Sequence, residues 1–162
     1  MLTFKPIKDE DLSDLAALSR EIWTDSFSEF LPPEQVEYMK AQYHTEDSLR
    51  DLMKRKGQRY YYIISGTAIA GYFVLSPHGD TLAIAIFITR EFRGKGLGKQ
   101  ALKRIYKMCK EEGYRKVLVA VNKNNAPAVK AFTRSGLKIM GTRVTDVGGG
   151  FVMSDYLMEK KL

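Results

Sequence analysis

The chain has 162 residues, a formal net charge of +7, 44% hydrophobic and 28% charged residues, the size and balance of one folded domain, which excludes a disordered chain. No stretch approaches the 18 or so uninterrupted apolar residues of a membrane span, and the opening MLTFKPIKDEDLSDLAAL has no apolar run behind a basic one, so a cytoplasmic location is expected. The single cysteine, Cys109, excludes an internal disulfide.

Asp9 or Asp11 can cap a first helix in which Leu12, Leu15, Ala16, Ile22 and Trp23 recur at helical spacing. Pro32 and Pro33 then interrupt the chain and suit the first turn of a second helix through EQVEYMKAQY. A third, short helix is expected around EDSLRDLMKRK, stopping at Gly57. RYYYIIS and AIAGYFVLS are β-rich runs joined through Gly66 and read as an antiparallel hairpin. TLAIAIFIT, apolar along most of its length, is expected to be a central strand. Past the segment FRGKGLG, the residues Leu97, Ala101, Leu102, Ile105, Met108 and Cys109 mark one face of a helix closed by Gly113, where Cys109 is a small buried hydrophobe. KVLVAV is a further buried strand, APAVKAFTRS a short helix ending at Gly136, and LKIMGTRV and GFVMSDYLMEKKL finish the chain as strands. With no repeat, low-complexity tract or linker, these elements make one α/β domain over residues 1–162 with a mixed sheet.

Charge is divided along this chain. Residues 92–143 carry 14 Lys and Arg against only Glu111 and Glu112, a balance of +12, whereas residues 9–47 carry 11 Asp and Glu against Arg20 and Lys40, a balance of −9. Either the two regions suit opposite kinds of ligand or both are solvated faces. FRGKGLG lies at the junction of a strand and a helix. The first N–H groups of a helix lack intrahelical partners and the macrodipole there is positive, so such a junction binds anions, and glycines let the backbone approach a phosphate. Arg93, Lys95 and Lys99 add positive charge, and Arg93 has a fork able to take two phosphate oxygens. Two commoner patterns fail: G-x-G-x-x-G would need glycine where Lys99 stands, and the P-loop pattern is broken at Arg93 and Gln100. Taken alone, the three alternating glycines are weak evidence, and a tight turn beside surface cations is the alternative reading. Asn122 and Asn125 follow KVLVA, and Asn125 suits a helix cap.

Taken together, FRGKGLG and NKNNAPAVKAFTRSGLK resemble the GNAT superfamily of N-acetyltransferases. The resemblance implies a mixed, mostly antiparallel central sheet of six to seven strands, splayed centrally and flanked by four to five helices. It implies that the loop of Arg93, Gly94, Lys95, Gly96, Leu97, Gly98 and Lys99 grips the pyrophosphate of acetyl-CoA, and that Asn125 and Ala128 support the pantetheine arm. Phe87 and Ile88 match the strand positions whose backbone pairs with the pantetheine amides, as an added strand would.

TDSFSEFLPPEQVEYM, VNKNNAPAVKAF and DVGGGFVMSDYLMEKKL are more narrowly similar to the polyamine (spermidine) N-acetyltransferase-like branch. That branch implies a small cationic amine as acceptor, met by the acidic first helices; Glu21, Asp25, Glu29, Glu34 and Glu37 are candidates for it, and Trp23 and Tyr38 candidate walls. Many family members place a tyrosine four residues before the glycine of the last motif to protonate the departing thiolate, but here Phe132 stands before Gly136, and Tyr156 is the candidate replacement. His44 and His78 are expected at the surface. An enzyme acetylating a primary amine by direct transfer is therefore expected, as monomer or homodimer, without metal, nucleic-acid or membrane partner. Alternatives are a protein N-terminal or lysine acetyltransferase and a catalytically weak acetyl-CoA sensor, the last favoured by Phe132. The pI of 9.4 raises a nucleic-acid binder, but no recognised motif accompanies it.

Overall fold

The computed structural model describes residues 2–162. Seven strands, β1 (Leu2–Pro6), β2 (Arg59–Ser65), β3 (Ala68–His78), β4 (Thr81–Ile88), β5 (Lys116–Asn122), β6 (Lys138–Gly148) and β7 (Phe151–Lys161), form one sheet in the order β1-β2-β3-β4-β5-β7-β6. Five helices accompany them: α1 (Leu12–Phe27), α2 (Pro33–Tyr43), α3 (Glu46–Met53), α4 (Leu97–Glu111) and α5 (Ala126–Arg134). The α/β class, the mixed sheet and the central place of β4 are as expected from the sequence. No described helix is long and apolar enough to cross a membrane. The chain divides into two compact units, one formed by residues up to Val74 with Ile86–Lys95, the other by Leu75–Ala85 with Gly96–Leu162.

In the first unit, α1 buries Leu12, Leu15, Ala16, Ser19, Ile22 and Trp23, the stripe that its spacing predicts, with Ser19 as the one polar member. This stripe meets Leu49 of α3 and Tyr60, Tyr62 and Tyr72 of the strands in a single core. Each fully buried Leu or Ile here contributes about 1.5–3 kcal/mol. Pro33 opens α2 as expected, and α3 begins on a reciprocal cap in which Thr45 Oγ1 accepts from the Ser48 amide at 3.2 Å. That third helix ends at Met53, earlier than the sequence suggests, and Gly57 supplies a left-handed residue (φ 78°) in the turn beyond. The edge strand β1, not expected from the sequence, pairs antiparallel with β2 from Leu2↔Ser65 to Pro6↔Tyr61. An edge position tolerates Pro6, which breaks the strand pattern to the eye but costs no internal ladder bond. At Gly71 the backbone of β3 passes so close to the Phe87 carbonyl oxygen that any Cβ would collide with it.

In the second unit, β5 pairs antiparallel with β7 over its whole length, Lys116↔Lys161 to Asn122↔Asp155, and β7 pairs antiparallel with β6. With β4, however, β5 pairs in parallel for only three residues, ending at Ala83↔Leu118; Ile84 and Ala85 continue without a partner on β5. This is the splay that the family resemblance implies. The helix α4 buries Ala101, Leu102, Ile105 and Cys109 and is closed at Gly113 (φ 91°), while α5 has no fully buried residue and ends at Gly136 (φ 92°).

Candidate active site

The chain passes from one unit to the other inside the glycine loop, between Lys95 and Gly96. After β4 a single 3₁₀ turn spans Arg90–Phe92, Arg93 is extended, and Gly94 and Gly96 adopt left-handed φ of 74° and 77°. Nothing lies within 4 Å of where a Cβ would stand on either glycine, so the demand is conformational, and open space faces the backbone. Gly96 is the N-cap of α4 and supplies no side-chain cap, and the first turn carries no acidic residue. A fifteen-residue helix thus begins with uncapped amides at Leu97, Gly98 and Lys99, and with the exposed cations of Lys95 and Lys99 around them. The donor set suits an oxyanion and repels none.

Arg93 is less free than its sequence position suggests. Its Nε donates to the Ile88 carbonyl at 3.1 Å and its Nη2 to Ser26 Oγ at 2.8 Å, tying the loop to the end of β4 and to α1 within the first unit. The carbonyl of Ile88 keeps one lone pair for another donor. Phe87 stacks on Tyr72 with ring centroids 4.9 Å apart and so is held against the first core.

In the second unit, Asn125 caps α5, its Oδ1 accepting from the Ala128 amide at 3.2 Å. The two residues singled out from the sequence are therefore joined to each other, and the cap reading holds. Asn122 Oδ1 accepts from the Asn124 amide at 2.9 Å, fixing the turn before that cap. Tyr156 lies half-buried between Val121 and Thr142 of the flanking strands, with Lys123 Nζ 5.8 Å from its ring centroid.

Among the acceptor candidates of the first unit, Glu21 and Glu37 line an open hollow of about 430 Å³ together with Arg20, Thr24, Lys40 and Ala41. Glu37 is already engaged by Lys40 at 3.2 Å. Tyr38 is half-buried on α2. Trp23 is a core residue at 5% exposure, stacked on Phe27 at 3.8 Å with its indole N–H unpartnered, so it backs this region and does not present a wall to solvent.

The sequence reading missed one buried polar chain. Tyr72 donates its hydroxyl proton to Ser19 Oγ at 3.2 Å, and Ser19 in turn pairs with Nδ1 of His44. With the Tyr72 proton on Ser19, the Ser19 proton is left for Nδ1, and the imidazole is neutral with its hydrogen on Nε2. Burial lowers the His44 pKa to about 4, and the Arg20 cation pulls the same way. His44 is thus a structural group of the first unit and not the surface residue expected, while His78 is exposed at the end of β3. Ser19 on an otherwise apolar stripe was the available signal; its partner is 25 residues away.

Comparison with known proteins places this geometry in a family. The model of the acetyltransferase (GNAT) family matches residues 17–137. Among relatives, an uncharacterized N-acetyltransferase in the pepI 3′ region of Lactobacillus delbrueckii subsp. lactis is 24% identical, with 96% of this chain and 95% of that protein covered. Among solved structures, the PaiA N-acetyltransferase from Thermoplasma acidophilum in complex with coenzyme A superposes with a TM-score of 0.81 at 19% identity, covering 100% of this chain and 99% of that one. A spermidine N-acetyltransferase SpeG chimera from Vibrio cholerae and hSSAT gives a TM-score of 0.75 at 18% identity, covering 99% and 94%. At these identities the solved structures establish the shared fold.

Proposed function

The chain belongs to the acetyltransferase (GNAT) family, and on that premise we propose that it transfers the acetyl group of acetyl-CoA directly to a primary amine of a small cationic acceptor, polyamines favoured. Both units serve as one catalytic domain over residues 1–162, in the cytoplasm. The observation that carries this reading is the start of α4: left-handed Gly94 and Gly96, uncapped amides and no first-turn acid, a cradle built for phosphate oxygens.

Acetyl-CoA, when bound, supplies the thioester whose acyl carbon the amine attacks. The amides of Leu97, Gly98 and Lys99 and the cations of Lys95 and Lys99 hold the pyrophosphate. Arg93 anchors the loop through Ser26 and Ile88 and keeps Nη1 for a phosphate oxygen. The backbone of Phe87 and Ile88 takes the pantetheine amides, and the capped turn at Asn125 and Ala128 supports the same arm. An alkylamine with pKa near 10.4 is almost wholly protonated at pH 7, so the free nucleophile costs about 4.6 kcal/mol. Tyr156 is the group that returns a proton to the thiolate.

A second reading, an acetyl-CoA sensor, is favoured by Phe132, which stands half-buried in α5 where many relatives in the superfamily have the acidic tyrosine. A thiol with pKa about 8.5 leaves tolerably without an acid, whereas a positioned acid adds roughly 10²–10⁴-fold. Thiol release from acetyl-CoA measured against spermidine, spermine, amino acids and a lysine peptide separates the readings: release with a polyamine supports the enzyme, and tight acetyl-CoA binding without release on any amine supports the sensor. Phe132→Tyr is expected to raise turnover by roughly a hundredfold, the lower end of that acid contribution. No gain would show that Tyr156 or another group already protonates the thiolate.

A further inference from the structure

The two edge strands of the sheet differ in how they meet solvent. An edge strand turns part of its backbone N–H and C=O groups outward, a template for a further strand. One edge, β1, has five residues and carries Lys5 and Pro6, features that discourage such pairing. The other, β6, has eleven residues, no proline and no buried side chain, and it pairs with β7 alone. Among the described residues five large hydrophobic side chains are exposed, and four of them belong to this hairpin: Ile139, Met140 and Val144 on β6 and Val152 on β7.

The register with β7 decides which of these share a face. Ile139, Thr142 and Val144 stand opposite Met158, Tyr156 and Ser154, alternate residues of β7, so the three lie on one face of β6. Lys138, Gly141, Arg143 and Thr145, opposite Glu159, Leu157, Asp155 and Met153, lie on the other. Met140 is the extra residue of a bulge between Ile139 and Gly141, and a second bulge falls between Asp146 and Gly148. Val152 stands opposite Asp146 and is a diagonal neighbour of Val144, one strand behind the edge.

We propose that β6 pairs antiparallel with β6 of a second copy of this chain, about a two-fold axis at Thr142, so that two sheets become one. Such an axis sets residues of the same face opposite one another, and charge and apolar contact select its position. Centred on Arg143, it would oppose two guanidinium groups; centred on Gly141, with the bulge counted, it would oppose Arg143 to Lys138. Centred on Val144, it would leave Ile139 and Met140 beyond the end of the second strand. Positions nearer either end pair fewer residues. Centred on Thr142, it opposes no like charges: Thr142 meets its own copy, Ile139 and Met140 meet Val144, Lys138 meets Thr145, and Arg143 meets Gly141. Nothing lies within 4 Å of where a Cβ would stand on Gly141, which leaves room for the Arg143 side chain of the second copy. The same surface serves both copies, so the assembly closes at a dimer. The pairing uses no residue assigned to acetyl-CoA or to proton transfer.

Sedimentation velocity of the full chain, with circular dichroism of each variant, tests the pairing. The wild type is expected to form a dimer at micromolar concentrations. Val144→Lys, at a side chain 65% exposed in the single chain, is expected to raise the dimer dissociation constant by roughly tenfold or more. Ile69→Lys, at the exposed hydrophobic residue of β3, is expected to leave it within about twofold. Directly opposed Cα atoms of antiparallel strands lie about 4.5–5.5 Å apart, within disulfide reach, so Thr142→Cys is expected to link two chains under mild oxidation. Thr145→Cys, also exposed, would face Lys138 and is expected to run as a single chain on a denaturing gel. Cys109 is buried and takes no part in either link. A wild type that stays monomeric throughout that range, a dimer indifferent to Val144→Lys, or cysteine variants that cross-link equally or not at all would each overturn the proposal.

Discussion

The two units use charge in opposite ways. In the first, polar groups turn inward upon one another: Arg93 grips Ser26 and Ile88, His44 pairs with Ser19, and Glu37 and Asp47 are engaged by Lys40 and Arg50. In the second, Lys99 stands exposed at the start of α4, whose first turn carries no acidic residue, and the one buried acid of this unit, Asp155, meets Arg143 Nη2 at 3.9 Å. A count of charges along the sequence makes the halves look like mirror images, an acidic acceptor side and a basic cofactor side. The difference teaches that surplus charge acts on a ligand only where the fold leaves it unspent; the acidic helices have spent part of theirs.

The contrast can be broken most sharply at Gly96. Aspartate there must adopt a left-handed φ of 77°, which costs about 1–2 kcal/mol, and adds a negative charge to the phosphate cradle. Acetyl-CoA affinity is expected to fall by at least about a hundredfold in calorimetry with circular dichroism unchanged; unaltered affinity would remove the loop from the site. In the first unit the inward-turned chain answers to pH. The His44 pKa falls from an ordinary 6.5 to about 4 on folding, so the folded state favours the neutral ring. That contribution is fully present above pH 6.5, declines as the unfolded imidazole takes up its proton, and is gone below pH 4, a total of about 3 kcal/mol. Urea unfolding of the wild type and His44→Gln across pH 4–7 should show the gap between them close over this window, and parallel profiles would mean that the imidazole is not held neutral. The smallest effect is expected at Glu37→Gln, which removes an exposed ion pair worth roughly 0–1 kcal/mol and should change the acceptor KM less than about threefold. A larger change would return acceptor recognition to the α1 and α2 carboxylates.

Much of this arrangement could be read before any coordinates. The α1 stripe, Pro33 at the head of α2, the glycines that end α4 and α5 and the glycine loop itself are local signals, set within a few residues by periodicity and backbone preference. What escaped depends on distance along the chain. The edge strand β1 is made by β2, some sixty residues later, and Ser19 is explained by His44 and Tyr72. The burial of Asp155 exists only in the register of three strands, and a lone aspartate in SDYLMEKK carries no sign of it. The two bonds of Arg93 were equally hidden, since Ser26 lies 67 residues before it.

The central claim is that the loop at the head of α4 is an acetyl-CoA site. Calorimetric titration of the wild-type protein with acetyl-CoA at low and at physiological salt tests it most directly. One molecule bound per chain, more weakly as salt screens the cations around Lys95 and Lys99, is the predicted result. The absence of saturable binding at either salt concentration would contradict the account.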